Sequence, residues 1–453
     1  MRQAISWTAA IAATCLSAGC GSESAESAQQ PRPDILLITV DTLRAGDVSA
    51  HGHEPPTMPF MEELARGGVR FDRAYSTAPW TTPSLVSILT SAYPTRHGVG
   101  QGPAIATDGT WEVIPPELPC LPLALQQAGY RTFGLTANFG LPANRGFGRG
   151  FDKYRCIGAE DLDVFRAELE PWLTELAEGE PWFLWLHLFD PHGPYTTREQ
   201  WLDTFWPPTR QGFARLDNVS PAELRREART YTGEQMEYVH ALYRTEIRDV
   251  DEYLREFFET LPRAAEALVL FSADHGEEFM EHGGVLHGHT LHEELIRIPF
   301  IVRFPDRRFA GEIVNDPVSL VDVLPTILSA VGILPDPEAA GVNLFGPDGV
   351  QVPSSRRIFA ELLRGASGLR AVIDQRFKFV KNPNAPDRSV LTDLQDDPGE
   401  TVNLVQVRPE VAEELERVLD GFVDVAMARR EQTEDTEISA KQKAALRALG
   451  YLR

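Results

Sequence analysis

From Asp34 onward the chain alternates short, continuous apolar runs with longer stretches of three-to-four periodicity. Ile35-Leu36-Leu37-Ile38-Thr39-Val40 has no polar alternation, which predicts a strand covered on both faces. Phe183–Phe189, Ala267–Ser272 and Pro299–Arg303 read the same way, and Gly134-Leu135-Thr136 is a shorter example. Thr57 and Pro59 open a helix that Gly67-Gly68 closes, and a second helix over Leu121–Ala128 ends at Gly129. Met236–Leu261 has the spacing of an amphipathic surface helix. Strands alternating with helices predict an α/β fold, a central mostly parallel sheet flanked by helices. The Pro-, Trp- and Arg-rich stretch 194–222 reads as an excursion over a site rather than as core.

The pattern shortens around Leu334-Pro335-Asp336-Pro337. Beyond it lie brief strand candidates at Arg357–Glu361, Leu369–Ile373, Lys378–Lys381 and Ser389–Thr392, then a helix over Pro409–Ala426. The expected organisation is a catalytic domain at 34–335 and a smaller C-terminal α+β subdomain at 336–453. No internal repeat is evident.

The N-terminus changes the picture of where the protein works. Arg2 precedes the apolar run Ile5–Leu16, which is too short to span a bilayer and ends in Leu16-Ser17-Ala18-Gly19-Cys20. That ending resembles a bacterial lipobox with Cys20 as the acylated residue, although Ser17 stands where a branched apolar residue is usual. Residues 1–20 are therefore expected to be a lipoprotein signal peptide and 21–33 a flexible tether. The expected location is the bacterial cell envelope, periplasmic or extracellular, with the membrane contacted through lipid on Cys20. Outside the cytoplasm the two remaining cysteines, Cys120 and Cys156, are expected to pair. Zinc-module Cys-x-x-Cys spacings are absent. The net charge of −23 excludes nucleic acid as a partner, since nothing would displace counterions from a phosphate backbone.

Two apolar runs end in acids: Asp41 follows the first, and Asp274-His275-Gly276 follows 267–272. In open α/β sheets ligands gather at the carboxyl ends of strands, and two carboxylates with an imidazole there would suit a divalent cation. Each aspartate alone is an ordinary turn residue. Trp80-Thr81-Thr82-Pro83-Ser84-Leu85 precedes a helix to about Thr90, with Pro83 expected first in the helix and Thr82 as its cap. Thr81 would then stand just outside the N-terminus, where unpaired N–H groups favour an anion. Of eleven histidines, His275, His282, His287, His289 and His292 crowd into one stretch, and His187 and His192 flank Asp190-Pro191. Strand-end clustering favours metal or anion binding by His275, His192 and His289 over His282, His287 and His292.

Taken in order, these segments resemble the sulfatase branch of the alkaline phosphatase superfamily. The resemblance runs through Pro33–Ile35, Asp41–Arg44, Ala78–Ser84, Pro94–Val99, Phe189–Tyr195, Ser272–Glu277, Gly288–Glu294, Val321–Thr326, Asp397–Glu400 and Leu446–Tyr451. It implies an ester hydrolase with Thr81 at the nucleophile position. It implies Asp41, Asp274, His275 and the Thr81 oxygen as metal ligands, and His192 and His289 at the transferring or leaving group. The frame departs from sulfatases proper: Thr81 replaces the cysteine that is oxidised to formylglycine, and Leu85 replaces an arginine. Thr42 replaces an aspartate and His275 an asparagine. Trading a carboxylate for an imidazole moves the expected metal from calcium or magnesium towards zinc or manganese. The substrate is expected to be a small-molecule, glycan or lipid ester, with phosphorus esters favoured over sulfate. The competing readings are a phospho-head-group transferase and a non-catalytic envelope-binding lipoprotein.

Overall fold

The structure, a computed structural model, describes residues 32–101, 110–158, 161–207, 216, 218–364 and 368–448. The signal peptide, nearly all of the tether and Cys20 lie outside the described residues.

Among the described residues eight strands form the central sheet: β1 (Ile35–Val40), β2 (Val69–Phe71), β3 (Arg131–Thr136), β4 (Lys153–Cys156), β5 (Trp182–Leu188), β6 (Leu268–Ala273), β7 (Phe300–Arg303) and β8 (Glu312–Val314). Their order is β8-β2-β7-β6-β1-β5-β3-β4. Only β7 runs against the others. The uninterrupted apolar runs have their predicted cause: every residue of β1, β5 and β6 is buried, because helices cover both faces. β1 sits between β5 and β6, with Val40 opposite Leu188 on one side and Ala273 on the other. Asp41 and Asp274 therefore leave neighbouring strands at the same level.

The long amphipathic helix spans Gly233–Thr260 and starts at a capping box, Thr232 accepting from the Gln235 amide and Gln235 from the Thr232 amide. Its buried stripe includes Val239, Leu242, Ile247, Val250 and Leu254. Helices Pro59–Arg66 and Leu121–Gln127 stand where the sequence places them.

The stretch after 194 contributes to the core, contrary to the sequence expectation. Tyr195, Leu202, Trp206 and Val219 are buried, and an antiparallel bridge between Tyr195 and Val219 pins the base of the excursion. Its helices Glu199–Phe205 and Pro221–Glu227 were hidden by the density of Pro and Trp. The cysteines are also corrected: Cys120 and Cys156 are free thiols, donating separately to the carbonyls of Arg149 and Asn138.

The C-terminal part is a four-stranded antiparallel sheet, β9 (Ile358–Leu362), β10 (Leu369–Ile373), β11 (Phe377–Lys381) and β12 (Val390–Asp393), in sequential order. Helix Pro409–Ala428 packs Leu415 and Leu419 onto Val372, Phe379 and Leu391. Among the described residues no helix is long and apolar enough to cross a membrane.

Candidate active site

The site is built where β1, β5 and β6 end. After Val40 the chain turns sharply, and Thr42 takes a left-handed φ of 57°, a strained conformation for a β-branched residue. The turn is held by the Thr42 amide donating to Asp274 Oδ1 at 3.2 Å and by the Tyr243 hydroxyl donating to the Thr42 carbonyl at 2.8 Å. The His275 amide donates to the same Asp274 oxygen at 2.8 Å. Gly276 is required by close packing, since a Cβ there would lie 2.0 Å from the Glu294 carbonyl oxygen.

His275 is oriented by its own neighbour: Nδ1 lies 2.8 Å from the Gly276 carbonyl, which demands a proton on that nitrogen. Nε2 thus carries the lone pair, and it stands 3.5 Å from both Asp41 Oδ1 and Asp274 Oδ2.

Thr81 is the first residue of helix Thr81–Thr90, not the residue before it, so the expected placement of Pro83 and Thr82 shifts by two positions. Trp80 is the cap residue and makes no side-chain cap bond, because its indole has a donor but no acceptor for the first-turn amides; Ser84 Oγ, one turn on, donates to the Ala78 and Trp80 carbonyls. Thr81 Oγ1 lies 3.4 Å from Asp41 Oδ1 and 3.3 Å from His275 Nε2. The helix N-terminus therefore delivers a hydroxyl into the carboxylate–imidazole cluster, with the amides of the first turn behind it.

The electrostatics of the cluster fit a cation. Asp41, Asp274 and His275 are fully buried. Burial, and then the negative charge of Asp41, push the Asp274 carboxyl well above the usual carboxylate range. Burial also acts on Asp41, but the imidazoles of His187, His192 and His275 around it outweigh burial and hold its carboxyl low. Burial and the neighbouring His287 push His275 down to about 3, so its imidazole is neutral, the form that ligates metals. Asp274 Oδ2 makes no hydrogen bond although it is buried. A buried, orphaned carboxylate oxygen is costly without a positive partner.

Two residues to which the sequence assigned no role join the cluster. His187, within β5, brings Nε2 to 3.5 Å from Asp41 Oδ2, and that nitrogen makes no hydrogen bond. Asp41, His187 and Asp274 offer ligand atoms all within 4.8 Å of one another. Asn138, just beyond β3, donates to Asp41 Oδ2 at 2.7 Å. The available signal was a polar side chain inside a buried run: Thr39 in β1 and His187 in β5 need partners, and they find each other at 3.0 Å.

A cleft of about 60 Å³ opens at Thr81, lined by Trp80, Asn138, Arg145, His192, His287 and Arg364 among others. His192 Nδ1 is 2.7 Å from the Gly193 carbonyl, and its ring stacks on Phe189 and meets His287 at 5.1 Å. His287 Nδ1 pairs with Glu277 at 2.9 Å, and Tyr195 donates to the other Glu277 oxygen at 2.7 Å. Burial raises Glu277 to about 7. His289 is elsewhere: its Nε2 bonds Glu278 at 2.6 Å, and it lines an adjoining groove rather than the Thr81 cleft. His282 and His292 stack on each other beside Glu294.

With this geometry in place, comparison with known proteins places the chain. Residues 33–333 match the family model for sulfatases. The chain belongs to the sulfatase family. It is 26% identical to the uncharacterized sulfatase YidJ of Escherichia coli over 434 residues, covering 83% of each chain. Among solved structures this sulfatase-family chain is similar to a 2-O GAG sulfatase, with a TM-score of 0.73 and 20% identity over 89% of this chain and 95% of that one. It is also similar to the phosphonate monoester hydrolase of Agrobacterium radiobacter, with a TM-score of 0.69 and 21% identity over 90% and 99%. Sulfatases are metal-dependent ester hydrolases, and this chain is an ester hydrolase of that family.

Proposed function

We propose that this sulfatase-family chain is a divalent-metal-dependent hydrolase of phosphorus and sulfate esters, phosphorus esters favoured, with Thr81 as the covalent nucleophile. The observation that carries the reading is Thr81 Oγ1 at 3.3 Å from His275 Nε2 and 3.4 Å from Asp41 Oδ1, at the start of a helix without a side-chain cap.

Asp41, Asp274, His275 and the Thr81 oxygen would hold the metal, and the orphaned Asp274 Oδ2 fits that assignment. A mixed carboxylate and imidazole set suits zinc or manganese better than calcium or magnesium. Bound there, the ion supplies Lewis-acid chemistry, lowering the hydroxyl pKa and neutralising charge on the ester oxygens.

The chain's own residues account for the rest. The helix N-terminus and Arg145 orient the anionic ester against Thr81. Thr81 Oγ1 attacks phosphorus or sulfur in line, its bond forms as the leaving-group oxygen departs, and a proton passes to that oxygen. His192 is the donor in this reading. With Nδ1 engaged by the Gly193 carbonyl, proton transfer is assigned to Nε2. Water then attacks the same phosphorus or sulfur, the bond to Oγ1 breaks, and the Thr81 hydroxyl is restored. A threonine cannot form the aldehyde hydrate through which formylglycine ejects sulfate, so breakdown of a sulfothreonine must proceed by direct attack at a crowded sulfur. A phosphothreonine has no such handicap. The same proposal places the protein in the cell envelope, tethered through Cys20, with a small-molecule, glycan or lipid ester as substrate.

The test is the ratio of kcat/KM on matched aryl phosphodiester and aryl sulfate, with zinc, manganese, calcium or magnesium added and Thr81→Ala as the blank. The expected result is Thr81-dependent turnover that favours the phosphodiester. A Thr81-dependent preference for the sulfate would reverse the assignment. Detergent-phase partitioning of wild type against Cys20→Ser tests the anchor, and equal partitioning into water would remove it.

A further inference from the structure

The chain carries 66 Asp and Glu against 43 Lys and Arg, so a recess without carboxylates stands out against its composition. A groove of about 680 Å³ opens next to the Thr81 cleft. One wall is helix Pro221–Glu227 and the turn after it, which contribute Arg225, Arg226 and Arg229. The opposite wall is the loop of the hairpin that pairs Glu278–Phe279 with Val285–Leu286, extended to His289. Arg364 completes the rim. No Asp or Glu occurs among the described residues that line it. Arg225, Arg226 and Arg229 are exposed, and the neighbouring Glu227 pairs with Arg226 at 2.8 Å.

The groove is continuous with the reacting site. His287 and Arg364 line both recesses, and the Arg364 guanidinium lies 5.1 Å from the ring centroid of Trp80, the residue before Thr81. Guanidinium groups match sulfate, phosphate and carboxylate with paired N–H donors, and the volume is that of a site for a drug-sized group, about 300–1,000 Å³.

We infer that this groove is a second anion subsite, so that the natural substrate is a polyanionic ester. One ester group reacts at Thr81 while a further sulfate, phosphate or carboxylate on the leaving-group portion is held by Arg225, Arg226 and Arg229. The inference rests on the reading of Thr81 as the reacting centre. It explains the arginine wall on an otherwise acidic protein, and it gives the histidine-rich stretch after Asp274 a second task, forming the wall opposite.

The experiment is calorimetric titration of the full chain carrying Thr81→Ala, with metal, using two matched pairs of probes. Glucose 1,6-bisphosphate is compared with glucose 6-phosphate, and glucosamine 2-N,6-O-disulfate with glucosamine 6-sulfate. In at least one pair the second anionic group is expected to tighten binding about tenfold. Arg226→Gln with Arg229→Gln is expected to abolish that advantage, and raising salt from about 50 to about 500 mM should erode it in the unsubstituted groove. The responding pair tells phosphate from sulfate. No advantage in either pair, or an advantage that survives both substitutions, would overturn the subsite. Equal unfolding temperatures for the two proteins show that the exposed substitutions leave the fold intact. Loss of the Thr81 reading itself would appear separately, as wild-type turnover of aryl esters that Thr81→Ala does not change, while the titrations still decide the groove.

Discussion

Asn138 donates its side-chain amide to Asp41 Oδ2 at 2.7 Å, leaving Oδ1 directed at Thr81 and His275. Asn138 is itself fixed, its side-chain Oδ1 accepting from the Gly140 amide at 2.9 Å. An outer partner that orients a ligating carboxylate typically contributes about 10- to 100-fold in metal affinity. Asn138→Ala is therefore expected to weaken metal binding by about that factor with Thr81 intact. Competition against a chelator of known affinity measures it, and an unchanged constant would remove Asn138 from the site's support.

Asp274→Ala is expected to lose metal on dialysis and to lose any rise in unfolding temperature on adding metal. Both follow if the cation binds only the folded state through the orphaned Oδ2. Elemental analysis that finds full occupancy in the variant would refute the ligand assignment.

His192→Ala should keep its metal but lower kcat by about 10² to 10⁴, the range for removing a general acid. The loss should be smallest on esters with good leaving groups, which need no proton. A uniform loss across leaving groups would instead make His192 a positioning residue.

Lys378 is fully buried in β11, its Nζ 2.7 Å from Glu400, 3.0 Å from Glu293 and 3.0 Å from the Leu291 carbonyl. It ties the antiparallel sheet to the segment that follows His289. Removing one partner of a buried ion pair strands the others, at a cost of about 3–5 kcal/mol. Lys378→Met is expected to lower stability to urea by about that amount, and a change under 1 kcal/mol, roughly the value of a surface pair, would contradict it.

Asp251 is buried on the long helix and accepts the amides of Phe60 and Met61 at 3.0 Å each. Burial outweighs these donors and Arg248, pushing the carboxyl from its ordinary 3.8 up to about 6. A raised folded-state pKa means that the native protein keeps a proton the unfolded chain has released. Its contribution therefore favours the fold below pH 4 and is lost as pH rises to about 6, by roughly 3 kcal/mol. Asp251→Asn should flatten that part of the stability profile measured by denaturant unfolding from pH 4 to 7. An unaltered slope would show that other groups set it.

The sequence by itself determined the local part of this protein. Unbroken apolar runs mark strands buried on both faces, because no polar side chain can be tolerated there without a partner, and Asp41, Asp274 and His275 stand at the ends of such runs. Thr81 was legible for a similar reason, since Pro83 so close behind it marks a helix start, although the helix begins two residues earlier than expected, at Thr81 itself. Membership of the sulfatase family was legible in the order of these motifs. Only the tertiary structure decided which side chains meet. His187 and Asn138 reach Asp41 because β5 and β3 stack in that order beside β1, an arrangement set by packing across the whole domain. His287 reaches the Thr81 cleft as well as the arginine groove, whereas His289 lines the groove, because the hairpin after Asp274 turns one towards Glu277 and the other towards Glu278. Spacing along a chain cannot distinguish them, since side-chain direction in a short hairpin depends on what it packs against. The two cysteines stayed apart for the same reason: each thiol found a different carbonyl, in a fold that never brings them together.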